Sequence, residues 1–246
     1  MIAPSHDLAA AASVHSADGP PATVPVSWRR AMRALRGLLD DPDRTEKAFE
    51  VFLALNGDEE ERMFQRFRAH STGATLLRDR PSLLDRLSDR AGLAKLPAAS
   101  FGGAYLAYLE RTGFSPDGLV RLKSEMEVHA AAIGEQLPVL DPAREWFRVR
   151  GLLTHDLWHV LTGYDTDSRG ETYLLAFSLA QLPGRANRLL TFGAGLRGLR
   201  EEGVGLVRAM YVAWQRGRRA VWLPALPYEA LLPVALDEVR ALAAIA

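Results

Sequence analysis

The sequence predicts an all-α protein, a single multi-helix domain behind an unstructured amino-terminal tail. Three observations carry that expectation. Apolar residues recur at helical spacing almost throughout from Trp28 onward, alternating β patterns are nearly absent, and helix start and stop signals punctuate the chain.

The elements follow in order. Residues 1–26 are rich in Ala, Ser, Pro and Gly and lack a charged-then-apolar opening, so they read as a disordered tail rather than a signal peptide. The domain is expected over 27–246. Ala48, Val51, Phe52 and Leu55 form a helical stripe between a start at Asp41-Pro42 and a stop at Asn56-Gly57. Asp58 with Glu61 has the form of a capping box that opens a helix through Met63, Phe64 and Phe67. Further helices are expected over 102–111, over 117–133 after Ser115-Pro116, and over 142–162. Val204, Val207, Tyr211 and Trp214 form a later apolar stripe. A last helix should turn Leu231, Ala235, Val239 and Leu242 inward and Asp237, Glu238 and Arg240 outward.

Composition narrows the chemistry. The 246 residues can bury one sizeable core. Thirty basic residues balance 30 acidic ones, which argues against a nucleic-acid grip by counterion release. Only Lys47, Lys95 and Lys123 are lysines and the other 27 basic residues are arginine, a bias that a GC-rich genome explains. The longest uncharged runs in the folded part, 96–109 with 14 residues and 172–184 with 13, fall short of the roughly 20 that span a bilayer. No cysteine is present, which removes disulfides, iron–sulfur ligation, thiolate zinc sites and cysteine nucleophiles. Any metal therefore falls to carboxylates and to six histidines: His6, His15, His70, His129, His155 and His159.

One segment gathers such ligands. In the run from Arg150 to Gly163, a helix that places His155 at 0° puts His159 at about 40° and Asp156 at about 100°. All three can face one point, with Asp156 either a ligand or the oxygen that orients an imidazole. Gly163 suits a helix stop, and a short turn can return Glu171 to the histidine pair. Two imidazoles with one or two carboxylates make a nitrogen–oxygen site suited to Zn²⁺, Fe²⁺ or Mn²⁺, with positions left open for water or substrate. The plainer alternative is a buried histidine pair satisfied by its neighbours, with Glu171 an exposed helix-start acid. The His-Asp pair also suggests an HD-type metal phosphohydrolase using His129 and Asp237, a scheme in which His159 has no place.

The segment HDLWHVLTGY with Glu171 resembles the signature of the coenzyme Q biosynthesis Coq-four family, HDxxH followed after eleven residues by Glu. The stretch 93–117, LAKLPAASFGGAYLAYLERTGFSPD, is similar to that family's LP-x-x-SFG-x-x-Y segment with its later PD. The end, 214–245, with Tyr228-Glu229 and 237–240, fits as well. The likeness covers the chain from about Trp28 onward and departs at Ala98-Ala99, where the family usually has a glycine before SFG.

The resemblance implies a helical protein of ubiquinone biosynthesis that holds zinc, or iron or manganese, through His155, Asp156, His159 and Glu171, the same residues serving catalysis. Its implied reaction is the oxidative decarboxylation and hydroxylation at C1 of a polyprenylated benzoate precursor. The metal would hold the ring carboxylate or phenolate, and since zinc has no redox chemistry the electrons would come from the substrate, or iron would replace zinc. A prenyl tail needs an apolar ligand groove between helices, for which Tyr105, Tyr108, Trp158, Leu174, Leu175 and Phe177 are candidates.

The implied partners are the prenylated quinone precursor, other enzymes of ubiquinone biosynthesis, a second copy in a homodimer and, peripherally, a membrane, but no nucleic acid. Arg216, Arg218 and Arg219 could meet an anionic lipid surface or simply complement a helix end. The tail lacks the features of an organellar transit peptide, so a bacterial location is expected, cytoplasmic or at the inner face of the membrane. The competing function is a non-catalytic scaffold that binds lipid or quinone intermediates.

Overall fold

Most of the expected helices form, and several begin and end on the residues that signal them. The computed structural model describes residues 25–41, 44–132 and 140–245; the expectation for the tail lies almost wholly outside these. Fourteen α-helices and no strand occur among the described residues, with one isolated antiparallel bridge between Ser100 and Ala235. No helix among them is long and apolar enough to cross a membrane.

The first four helices are α1 (Trp28–Asp40), α2 (Thr45–Leu55), α3 (Glu59–Ala69) and α4 (Ser71–Asp79). Val51 and Leu55 of the predicted α2 stripe are buried, whereas Phe52 is exposed. The capping box expected at Asp58 does not form: its carboxylate accepts from Arg62 and Arg185 instead, and Asn56 Oδ1 accepts from the Glu60 amide. A free cationic side chain outbids a backbone amide for a carboxylate.

Short helices α5 (Leu83–Ser88) and α6 (Arg90–Leu93) lead to α7 (Phe101–Thr112), capped by Ser100 at its start and Gly113 at its end. Then come α8 (Gly118–Ala132) and α9 (Pro142–Thr162), the latter with the bounds read from the sequence. Asp141 Oδ1 caps the amides of Ala143 and Arg144, Pro142 takes the first turn where no amide is needed, and Gly163 closes the helix at φ 74°.

The remaining helices are α10 (Ser168–Gln181), α11 (Arg185–Glu201), α12 (Val204–Arg219), α13 (Tyr228–Leu231) and α14 (Leu236–Leu242). Pro233 falls between α13 and α14, where the sequence suggested one helix. Val239 is buried as expected, but Leu242 is exposed and Arg240 turns inward, because the break resets the helical phase. The stripe Val204, Val207 and Tyr211 on α12 is exposed rather than buried; Leu206, Met210, Ala213 and Gly217 face the interior instead.

The main core joins α5 to α7, α9, α10 and the carboxy-terminal segment around Phe101, Tyr105, Leu157, Phe177 and Tyr228. A second cluster unites α1, α2 and α11. The carboxy-terminal segment bonds the start of α7 through Phe101 N to Val234 O, 2.8 Å, and Gly102 N to Leu232 O, 2.7 Å. These contacts anchor α7 where it faces the end of α9.

Candidate metal centre

The turn after α9 brings the distant ligand back. Asp167 Oδ1 accepts from the Gly170 amide at 2.7 Å and starts α10, with Glu171 in its first turn. A β-carbon at Gly170 would collide with the Asp165 backbone, so the tight return requires glycine there. Donor atoms of His155, His159 and Glu171 consequently lie within 4.8 Å of one another. His159 Nε2 is 3.2 Å from Glu171 Oε1, and His155 Nε2 is 3.8 Å from Glu171 Oε2. Two ligands held tetrahedrally at about 2.1 Å from one ion would stand about 3.4 Å apart, so these separations suit a shared cation.

The other ring nitrogens have partners. His159 Nδ1 is 3.0 Å from the Tyr164 carbonyl, and His155 Nδ1 is 3.2 Å from Asp156 Oδ1. A carbonyl can only accept, so Nδ1 of His159 carries the proton and Nε2 keeps its lone pair when the ring is neutral. That Nε2 is buried and has no hydrogen-bond partner, although a carboxylate oxygen lies close by. Nitrogen and oxygen lone pairs facing each other in a buried spot need a proton or a cation between them. The donor set thus fits a hard or borderline divalent ion.

Charges around His155 oppose its burial. Burial pulls its pKa down, but the hydrogen bond to Asp156 and the charges of Glu171 and Asp156 outweigh this and raise it above the ordinary histidine value. Asp156 itself is not brought to the cluster. Its carboxylate stands at the back of the His155 ring, 3.2 Å from Nδ1, a position that suits an orienting oxygen. Asp237 is likewise not part of the cluster; it stands almost fully exposed and pairs with Arg240. The side chain of His129 lies outside the described residues.

Two of the six substrate candidates adjoin the site. The Tyr108 ring stacks on His159 at 6.1 Å and 21°, and Tyr105 stacks on Tyr108 at 6.1 Å and 17°. Both hydroxyls are buried without a partner, and burial, aided by the Asp156 charge, raises both phenols well above the ordinary tyrosine value. Trp158, Leu174 and Phe177 are enclosed in the same main core as the two tyrosines, with Trp158 Nε1 donating to Tyr228 Oη at 2.9 Å. Leu175 packs against the separate α1–α2–α11 cluster.

Two arginines that the sequence reading turned outward or left at the surface pack at the end of α9 instead. The last carbonyls of α9 have no partner within the helix. Arg240 donates to Val160 O at 3.2 Å and Leu161 O at 3.0 Å, and Arg216 donates to Thr162 O at 3.3 Å while covering the Tyr164 ring. Arg216, read from sequence as a surface cation, therefore serves the other reading, a cation at a helix end, although the helix is α9 rather than its own. No local pattern signals a partner more than 50 residues away.

The family model described as "Coenzyme Q (ubiquinone) biosynthesis protein Coq4" matches residues 39–129 and 138–246. A ubiquinone biosynthesis protein COQ4, mitochondrial, from Pyricularia oryzae is 32% identical over 126 residues, which is 51% of this chain and 37% of that protein. The Pyrenophora tritici-repentis protein of that name is 31% identical over 129 residues, 52% of this chain and 40% of its own length. The match thus spans about two fifths of these relatives. The crystal structure of a protein from Nostoc punctiforme, named as a candidate ubiquinone biosynthesis protein, shares the fold with a TM-score of 0.63 at 21% identity, covering 89% of this chain and 99% of that one. The curated relatives' names correct the expected location: they are mitochondrial proteins, not proteins of the bacterial cytoplasm or membrane face. Amino-terminal composition was a poor guide because compartment is read by receptors, not set by folding chemistry.

Proposed function

The chain belongs to the coenzyme Q (ubiquinone) biosynthesis protein Coq4 family, and from that premise we propose that it acts on the head group of a polyprenylated benzoate precursor, with a divalent ion at His155, His159 and Glu171. The observation that carries the metal is the buried, unpartnered Nε2 of His159 facing Glu171. Zinc suits the donors, and iron and manganese suit them too. The ion would supply a Lewis acid for a ring carboxylate or phenolate as the C1 carboxyl group leaves as CO₂ and a hydroxyl takes its place, a two-electron oxidation in which water would supply the hydroxyl oxygen and dioxygen would take the electrons as hydrogen peroxide.

The residues do the rest. Asp156 and the Tyr164 carbonyl hold the two imidazoles in the Nδ1–H tautomer, which leaves both Nε2 atoms free to bind. Glu171, with its side chain 44% exposed, sits on the open side, where a head group enters. The Tyr108 ring stacked on His159, with Tyr105 stacked behind it, would form the buried wall of the site. A second reading, a scaffold that binds quinone intermediates without turnover, is favoured by the commitment of Asp156 to His155. That commitment leaves no free general base in the described cluster.

Metal content tests the first reading. Protein purified without added metal should carry close to one divalent ion per chain, and His159→Ala should carry almost none; equal content in both sinks the site. Glu171→Ala separates the two functions. If that variant loses metal and also fails to restore quinone synthesis in cells lacking the native protein, the metal reading stands. If it restores synthesis while folded, the scaffold reading does.

A further inference from the structure

Helix α7 carries more than the wall behind His159. Tyr105, Tyr108 and Arg111 follow one another at three-residue steps, so they line one side of the helix from the core to the surface. Both tyrosines are buried, whereas Arg111 stands at the rim with its side chain 57% exposed. Its guanidinium is 6.0 Å from the Tyr108 ring, and that ring is 6.1 Å from His159. Laid end to end, the two separations keep the cation within about 12 Å of the His159 ring. Phe114, exposed just beyond the helix, meets the same Tyr108 ring edge-on at 6.2 Å.

Arg111 has a resident partner. Its Nη1 donates to Asp165 Oδ1 at 2.6 Å, in the turn between α9 and α10. Asp165 follows Tyr164, whose carbonyl holds His159 Nδ1. The pair therefore joins the end of α7 to the turn that returns Glu171. Both members lie in water, so the contact contributes little and exchanges readily. It also occupies only one edge of the guanidinium: Nε and Nη2 have no acceptor among the described residues. A planar fork with donors unmet suits two-pronged capture of another carboxylate.

We propose that Arg111 receives the ring carboxylate of the incoming head group, and that Asp165 holds its place when no such carboxylate is bound. This rests on the reading that the site takes a benzoate head group. The pair then sorts substrate from product. The substrate's carboxylate displaces Asp165 from Arg111; the product has a neutral hydroxyl at that position and cannot. Once the carboxyl group has been replaced, Arg111 returns to Asp165 and the product is held by one charged contact fewer. A site built for a charged group discriminates against a ligand that leaves it unpaired.

The test titrates 4-hydroxybenzoate, and hydroquinone as its hydroxyl counterpart, into the full chain under argon, followed by ligand-observed NMR. The native chain should bind the acid more tightly than hydroquinone. Arg111→Gln should weaken the acid about five- to tenfold while leaving hydroquinone binding and metal content at native levels. Asp165→Asn should tighten the acid, because the competing carboxylate is gone. A pair that merely ties the turn to α7 predicts equal weakening by both substitutions, and that result overturns the proposal. Each titration is repeated after chelation, which the Arg111-dependent preference should survive. A preference that chelation abolishes and Arg111→Gln leaves intact belongs to the ion; it overturns the proposal while the metal reading stands. A native chain without an ion that still loses acid binding on Arg111→Gln sinks the metal reading alone. Equal native affinity for both compounds overturns the proposal and spares the head-group reading, and binding of neither sinks both.

Discussion

His159 shows how one side chain acquires a task from its surroundings. It is buried, its Nδ1 is tied to the Tyr164 carbonyl, and its Nε2 has only Glu171 ahead of it. Asp156 acts one step away by holding His155. Asp156→Ala should weaken metal affinity by about ten- to a hundredfold while leaving circular dichroism unchanged, the usual size for losing an orienting partner. A competitive chelator titration reads it, and an affinity equal to the native chain's would show that the His155–Asp156 contact orients nothing. Tyr108→Phe removes only a hydroxyl without a partner, so stability should hold or rise slightly; a fall of more than about 1 kcal/mol in urea unfolding would mean that the hydroxyl is bonded.

Among the elements, α9 is held from both ends. At its carboxy-terminal end, Arg240→Ala would strip the Val160 and Leu161 carbonyls of their donor and loosen the turn that carries Glu171. Faster amide exchange over 163–171 with unchanged exchange in α3 is the expected signature. At the amino-terminal end, Arg144 joins Asp141 to Glu61 of α3. The hydrogen bond from Arg144 holds the Glu61 carboxyl below its ordinary range; at Asp141 burial pushes the other way, but Arg144 and the helix amides outweigh it. Both carboxyls therefore have lower pKa values folded than unfolded. The stability they contribute is complete above their ordinary values of 4.5 and 3.8 and is lost as pH falls through the depressed ones. Glu61→Gln should make stability less steep on the acid side, seen as a smaller drop in Tm between neutral pH and about pH 3. Helix α12 approaches α10 so closely that a β-carbon at Gly217 would strike the Phe177 carbonyl and crowd Ala180. Gly217→Val should cost about 1–3 kcal/mol by overpacking, read by chemical denaturation.

For the whole molecule, a metal held by His155, His159 and Glu171 would link its binding to folding, because the three residues come from two helices joined by a turn. An ion that binds only the folded chain stabilises it by about 2.7 kcal/mol when present at a hundred times its Kd. Chelation should accordingly lower Tm in the native protein and leave His159→Ala unmoved; an equal shift in both would place the ion elsewhere. The polarity of the exterior belongs to this scale too. Neutrality summed over 246 residues conceals an arginine-rich side and a correspondingly acidic remainder.

The sequence by itself determined what is local. Asp141-Pro142 and Gly163 bound α9 to the residue, and the spacing of His155 and His159 puts them on one face, because capping and helical phase depend on neighbours within a few residues. It also marked Glu171 as reachable, through a turn short enough to close. Tertiary structure alone decided what depends on long-range contact. It turned Asp156 to the back of His155, drew Asp58 away from its cap to Arg185, and sent Arg216 and Arg240 to the end of α9. It also chose which stripe of α12 faces inward. Two apolar stripes compete on that helix, and the glycine at 217 lets the face bearing Leu206, Met210 and Ala213 approach α10 most closely. Burial goes to the stripe that packs, and periodicity alone does not rank two stripes on one helix.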